Sequence, residues 1–277
     1  MIGVIEALQF PPIARGAMVL LIAGLAFPWA GVFVLRLHLV PLRFTLMHSA
    51  LLGSAVALAS GTSPLWVGLG LNILLVLIIG RTGAGTSRWF RRIDPAHMTT
   101  FFMVFTIGAA FAVLYRYDVP ARESLSLLWG NVFALTVQDA YASAAVAGGI
   151  LLAVILTFPK LVALLFDRDT AFTSGVATDR LMMAVLMIVG VTITVAMGLI
   201  GALLLDALLI LPAMIATILA RGVKQLFIYA SATGLVITVI GFVAALRLDI
   251  PVSSGVTLTG AILFGITIFL EQRRQER

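Results

Sequence analysis

Val195-Ala196-Met197-Gly198-Leu199-Ile200-Gly201-Ala202-Leu203-Leu204-Leu205-Asp206-Ala207-Leu208-Leu209-Ile210-Leu211-Pro212 carries a single charge, and it lies inside an apolar tract running from 181 to 219. A hydrocarbon layer about 30 Å thick is crossed by roughly 20 helical residues, so this tract is about twice too long for one pass. Gly198 and Gly201 supply the expected turn, giving spans at 181 to 197 and 198 to 219. The same reading applied outward yields seven more runs: 16 to 35, 40 to 60, 64 to 80, 97 to 115, 140 to 159, 225 to 246 and 255 to 270. The expected fold class is all-α, a polytopic transmembrane helix bundle of about nine spans forming one domain over residues 1 to 277.

Composition agrees. Of 277 residues, 61% are hydrophobic and 11% charged, too few charges to clothe a water-soluble body. The absence of cysteine excludes disulfides, thiolate metal sites and cysteine nucleophiles. Residues 1 to 9 contain Glu6 and show no basic region ahead of a cleavable apolar stretch, so no signal peptide is read there.

The net charge of +6 reports orientation rather than nucleic-acid binding. With the N-terminus outside and the C-terminus cytoplasmic, fourteen basic residues fall inside: Arg36, Arg43, Arg81, Arg88, Arg91, Arg92, Lys160, Arg168, Arg180, Arg221, Lys224, Arg273, Arg274 and Arg277. Arg15, Arg116, Arg122 and Arg247 fall outside. Dropping one span reverses every later cluster, so the charge asymmetry supports the count.

Ionisable groups inside spans are costly and are therefore functional candidates. His48 and Asp206 stand out, since imidazole and carboxylate ligate zinc, manganese or iron and also relay protons. An interhelical hydrogen bond is the structural alternative for each. By helical rise, His48 lies roughly 12 Å from the inner end of its span and Asp206 roughly 12 Å from the outer end of its own, which permits a meeting near the midplane. Asn72 and Met197 read as packing residues, with pathway lining the alternative for each, and Arg43 as an interfacial anchor. Asp139 reads as the N3 acid of a cap begun by Thr136, and His38 and His97 as surface groups at helix ends. Neither Lys160 nor Lys224 sits in a phosphate loop, so any ATP hydrolysis belongs to another chain. No H-E-x-x-H or G-x-S-x-G hydrolase motif is present.

Four stretches in order resemble the permease of the bacterial zinc, manganese and iron ABC importers, the ABC-3 family. They are Gly31-Val32-Phe33-Val34-Leu35-Arg36 followed by His48-Ser49-Ala50-Leu51-Leu52-Gly53; Leu128-Trp129-Gly130-Asn131-Val132-Phe133-Ala134-Leu135-Thr136; Asp169-Thr170-Ala171-Phe172-Thr173-Ser174-Gly175-Val176; and the glycine-rich stretch quoted first. The resemblance implies an inner-membrane subunit that binds no cofactor of its own and passes a divalent metal as cargo. It implies two cytoplasmic ATPase subunits, an extracytoplasmic solute-binding protein and a second permease copy as partners. It also implies an ATPase-docking segment at about 167 to 179, with Asp169, Ala171, Gly175 and Val176 as its candidate residues. The family often carries a carboxylate one helical turn before the histidine, where this chain has Phe44. Asp206 is then the expected replacement, and His48, Asp206 and Met47 are the expected metal contacts. A chelated metal or another small solute as cargo is the rival within the fold. A proton-coupled secondary transporter using Asp206 and His48 is the rival outside it, and a non-transporting scaffold is a third possibility.

Overall fold

The computed structural model describes residues 4–83, 95–118, 130 and 132–275, and they contain helices and no strands. In chain order these are α1 Val4–Ala7, α2 Pro11–Arg36, α3 Val40–Ser60, α4 Pro64–Gly83, α5 Pro95–Arg116, a 3-10 turn Val132–Ala134, α6 Val137–Phe166, α7 Arg168–Thr173, α8 Thr178–Ile200, α9 Ala202–Leu209, α10 Leu211–Leu219, α11 Val223–Leu248 and α12 Val252–Gln275. Among the described residues, nine stretches are long and apolar enough to cross a membrane, each overlapping one expected from sequence. In lipid every backbone polar group must be satisfied within the protein, which is why apolar runs of this length become helices.

Three boundaries differ from expectation. Of the two expected turn residues Gly198 remains helical and Gly201 alone makes the break, with a φ of 84° that is open to glycine and strained for other residues. The following span is interrupted at Ile210, between α9 and α10, because Pro212 lacks an N–H and its ring clashes with the helical path. Conversely, α6 continues through Pro159 to Phe166. Leu161 and Leu164 beyond that proline are buried, so packing outweighs the one lost hydrogen bond. At its other end α6 is capped as read from sequence: the Asp139 carboxylate accepts from the Thr136 N–H and hydroxyl, both at 2.8 Å, and the Thr136 hydroxyl oxygen accepts from the Asp139 N–H at 3.2 Å.

The helices group into two compact units. One comprises Met1–Leu35, Leu128–Leu151 and Leu199–Arg277. Within it α11 packs on α10 and α12, and α2 meets α11 through Trp29, whose indole N–H donates to Ser231 Oγ at 2.7 Å. Gly130, with φ 71°, lies so close to Ile200 that a Cβ would overlap its carbonyl oxygen. The glycine of one family-like stretch thus seats the break of another. Gly31 of α2 is pressed in the same way against the Leu209 carbonyl at the second break. Gly31→Val is therefore expected to destabilise this unit by about 1–3 kcal/mol through overpacking, read as a lower melting temperature in detergent. An unchanged melting temperature would contradict that contact.

The other unit comprises Arg36–Leu127 and Leu152–Gly198. Here α3 packs on both α4 and α5, and Gly53 lets α3 approach the Gly68 backbone of α4. The Thr45 hydroxyl donates across to the Thr99 carbonyl of α5 at 2.7 Å. Close approach through small residues suits a membrane bundle, where lipid offers no hydrophobic drive between helices. Arg88, Arg91, Arg92, Arg122 and Arg277, counted in the charge asymmetry, lie outside the described residues, as do Leu128, Trp129 and Asn131.

Candidate functional site

His48 sits in the middle of α3, a helix closed at its C-terminus by Gly61 in the left-handed conformation. Its side chain is half-buried, and Nδ1 is 2.7 Å from the carbonyl oxygen of Phe44, one turn earlier. In the neutral imidazole that contact assigns the proton to Nδ1, which donates to the carbonyl and leaves the Nε2 lone pair for a ligand or a proton. Phe44, one turn before His48, thus orients the histidine through its backbone carbonyl. Met47, also half-buried, lies about 100° around the helix from His48, so the two do not share a face.

Arg43 differs from the sequence reading. It is 6% exposed, with its guanidinium 4.2 Å from the centre of the Phe44 ring, and is a buried residue rather than an interfacial anchor. Stacking on an aromatic face suits a guanidinium better than an ammonium.

Asp206 lies in α9, half-buried, and its backbone oxygen accepts from the Ile210 N–H at 3.1 Å where that helix stops. Because Pro212 has no N–H, the Leu208 carbonyl loses its helical donor at this break. The Thr233 hydroxyl of α11 lies 3.2 Å from the Pro212 carbonyl, while its shorter bond, at 2.6 Å, is donated to the Tyr229 carbonyl of its own helix. Asp206 thus stands one turn before an interrupted helix inside a spanning segment. His48 and Asp206 belong to different compact units, and among the described residues no three His, Asp or Glu side chains assemble.

The remaining polar residues behave largely as the sequence suggested. Met197 is buried, and His38 and His97 are exposed at helix ends. Asn72 is buried in the contact between α4 and α8 and donates to Thr194.

The segment from 167 to 179 holds α7, the turn that ends it and the start of α8. The Val176 N–H donates to the Ala171 carbonyl at 3.1 Å and the Gly175 N–H to the Phe172 carbonyl at 3.0 Å, with Gly175 at φ 80°. This pair of bonds is the Schellman closure, completed by apolar residues at its two ends. Asp169 lies within α7. Ala171 is 1% exposed and Val176 half-buried, so both face their own unit, whereas Gly175 is exposed. Phe172, absent from the candidates drawn from sequence, is 69% exposed. An aromatic residue in an otherwise polar connection was the signal that could have found it.

Similarity to known proteins follows the same outline. The model of the ABC 3 transport family matches residues 9–271. The manganese import system permease protein ScaB of Streptococcus parasanguinis is 26% identical, over 98% of this chain and 95% of that protein. The ScaB of Streptococcus pneumoniae is 31% identical over 58% of each chain. Among solved structures, PsaBC from Streptococcus pneumoniae in complex with Fab superposes with a TM-score of 0.83 at 22% identity, covering 97% of this chain and 96% of that one. The chain therefore belongs to the ABC 3 transport family, as a multi-pass permease subunit of the inner-membrane type whose ATPase is a separate protein.

Proposed function

We propose that this chain forms the translocation path of an ABC importer for a divalent transition metal, with manganese the first candidate and zinc and iron the next. The observation that carries the proposal is His48: inside a spanning helix, its Nδ1 is occupied by a carbonyl of its own helix, which leaves Nε2 available to cargo. A ligand oriented by a backbone carbonyl is the usual arrangement for a metal-binding imidazole. The manganese importers among the relatives favour manganese over zinc. Transport needs weak, transient coordination, and a histidine with few protein partners provides it.

In this reading the N-terminus is outside and the C-terminus cytoplasmic. A solute-binding protein delivers the metal from outside, a second permease copy completes the pore, and a cytoplasmic ATPase docks on the α7 segment. The direct test is manganese uptake into proteoliposomes containing the chain, its ATPase and its binding protein. Uptake that requires ATP and binding protein supports the proposal. Uptake driven by a proton gradient without ATPase replaces it with a secondary transporter, and uptake only of a chelate changes the cargo.

Asp206 supplies a carboxylate to the cargo in the same scheme. Asp206→Asn keeps the side-chain volume while removing the charge, so uptake is expected to fall by about tenfold or more, within the range for loss of a supporting metal contact. Parental uptake and parental stimulation of ATP hydrolysis in that variant remove Asp206 from the path.

A further inference from the structure

Within the Arg36–Leu127 and Leu152–Gly198 unit, α4 and α8 lie against each other in antiparallel register, Gly80 beside Met183, Val76 beside Gly190 and Asn72 beside Thr194. Asn72 is 1% exposed. Its Nδ2 donates to Thr194 Oγ1 at 2.5 Å, and that hydroxyl donates to the Gly190 carbonyl at 2.8 Å. The other half of the carboxamide is unused, since the buried Oδ1 has no donor. Asn72 lines a narrow apolar crevice with Leu69, Ile73, Val76 and Met187 that has no room for a water molecule.

A second buried oxygen has the same problem. Ser49 Oγ of α3 is buried without a partner. Ser49 is one turn before Gly53 and Asn72 one turn after Gly68, and Gly53 and Gly68 are in contact, so antiparallel register sets both polar groups at one level of the bundle. A buried acceptor without a donor destabilises the arrangement that contains it, and a single interhelical hydrogen bond in lipid gives a modest return. Leucine at position 72 would suit this packing better than a half-satisfied amide does. A group that disfavours the one arrangement in which it is seen acquires a purpose if the helices have a second arrangement.

We infer that Asn72 is a two-state latch between α4 and α8, a positioning residue for transport whose Nδ2 holds the present arrangement and whose Oδ1 accepts from the Ser49 hydroxyl when the helices shift. This inference rests on the reading of the chain as an ATP-driven transporter. A discrete element with two hydrogen-bonding patterns is the physical basis for switching between two states.

The chain has no cysteine, so a disulfide pair can be introduced without background. Val76→Cys with Gly190→Cys targets the contact one turn from the latch, where a Cβ at Gly190 would stand 3.2 Å from the Val76 side chain. In the assembled complex in proteoliposomes, with manganese(II) as probe, oxidation of the pair is expected to lower uptake and binding-protein-stimulated ATP hydrolysis at least about tenfold. Reductant is expected to restore both, and the single-cysteine variants to work at the parental rate. Asn72→Leu is expected to lower uptake by a similar factor while its melting temperature in detergent stays level or rises.

Full-rate transport by the oxidised pair overturns the latch, and so does parental uptake by Asn72→Leu. Loss of uptake in Asn72→Leu together with a lower melting temperature also overturns it, by making Asn72 a packing residue. A parental complex that moves no manganese, but whose ATP hydrolysis obeys the disulfide, leaves the latch standing and removes manganese as cargo.

Discussion

His48→Leu is expected to lower ATP-dependent manganese uptake by about 100-fold or more while the protein folds as before. The loss of uptake and the preserved fold have separate physical origins. Loss of a supporting contact around a metal ligand already costs about 10–100-fold, and loss of the ligand itself should reach the upper end of that range. Folding is spared because the imidazole's hydrogen bond closes on the Phe44 carbonyl of the same helix and therefore fastens no second element. The carbonyl left behind still receives the backbone bond of the helix. The measurement pairs uptake in proteoliposomes with the melting temperature in detergent. Uptake within threefold of the parent removes His48 from the cargo path, and a collapse of both quantities makes it a structural residue. A proton carrier at the same position would also be silenced by leucine, so the assay is run with ATP and binding protein and repeated with an imposed proton gradient alone.

Phe172→Asp is expected to weaken association with the ATPase by about 30-fold or more, the equivalent of a 2 kcal/mol interface hot spot. Its ring is 69% exposed on a six-residue helix whose adjacent residue, Ala171, is turned inward. Aromatic anchors that enter a partner's pocket dominate interfaces of this kind. Since the ring makes little contact with its own unit, the substitution should leave the melting temperature unchanged. Titration of the purified permease with its ATPase gives the affinity, and uptake and hydrolysis should become uncoupled to match. Parental affinity in Phe172→Asp would move the docking surface away from α7. The Schellman closure at Gly175 fixes the angle of α7, so the aromatic is presented by a rigid turn rather than a loose loop.

The spans were legible because their signal is local. Twenty apolar residues in lipid have one way to satisfy their backbone, and that holds for each run independently of its neighbours. The cap of α6 was legible for the same reason, as Thr136 and Asp139 are three residues apart and interact only with each other's ends. The break at Ile210 was half legible: Pro212 announces a disturbed helix, but the apolar count on either side reads as one continuous span. Pro159 carries the same signal, yet α6 runs through it, because Leu161 and Leu164 bury themselves and repay the missing bond. Two prolines in apolar segments therefore have opposite outcomes, and only the packing around them distinguishes the two.

Sequence alone determined the class of fold, the number of spans, the absence of a nucleotide site and the family-like stretches, together with His48 and Asp206 as the intramembrane groups worth testing. The tertiary structure decided which face each helix presents: Arg43 turned inward on Phe44, Ala171 buried and Phe172 exposed, Asn72 joined to Thr194, and Gly130 seated on Ile200. The physical reason is that hydropathy is summed along a chain, whereas lipid is as apolar as leucine and does not choose among apolar faces. That choice falls to close fit and to the few polar partners between helices, residues far apart in sequence whose meeting no single segment encodes.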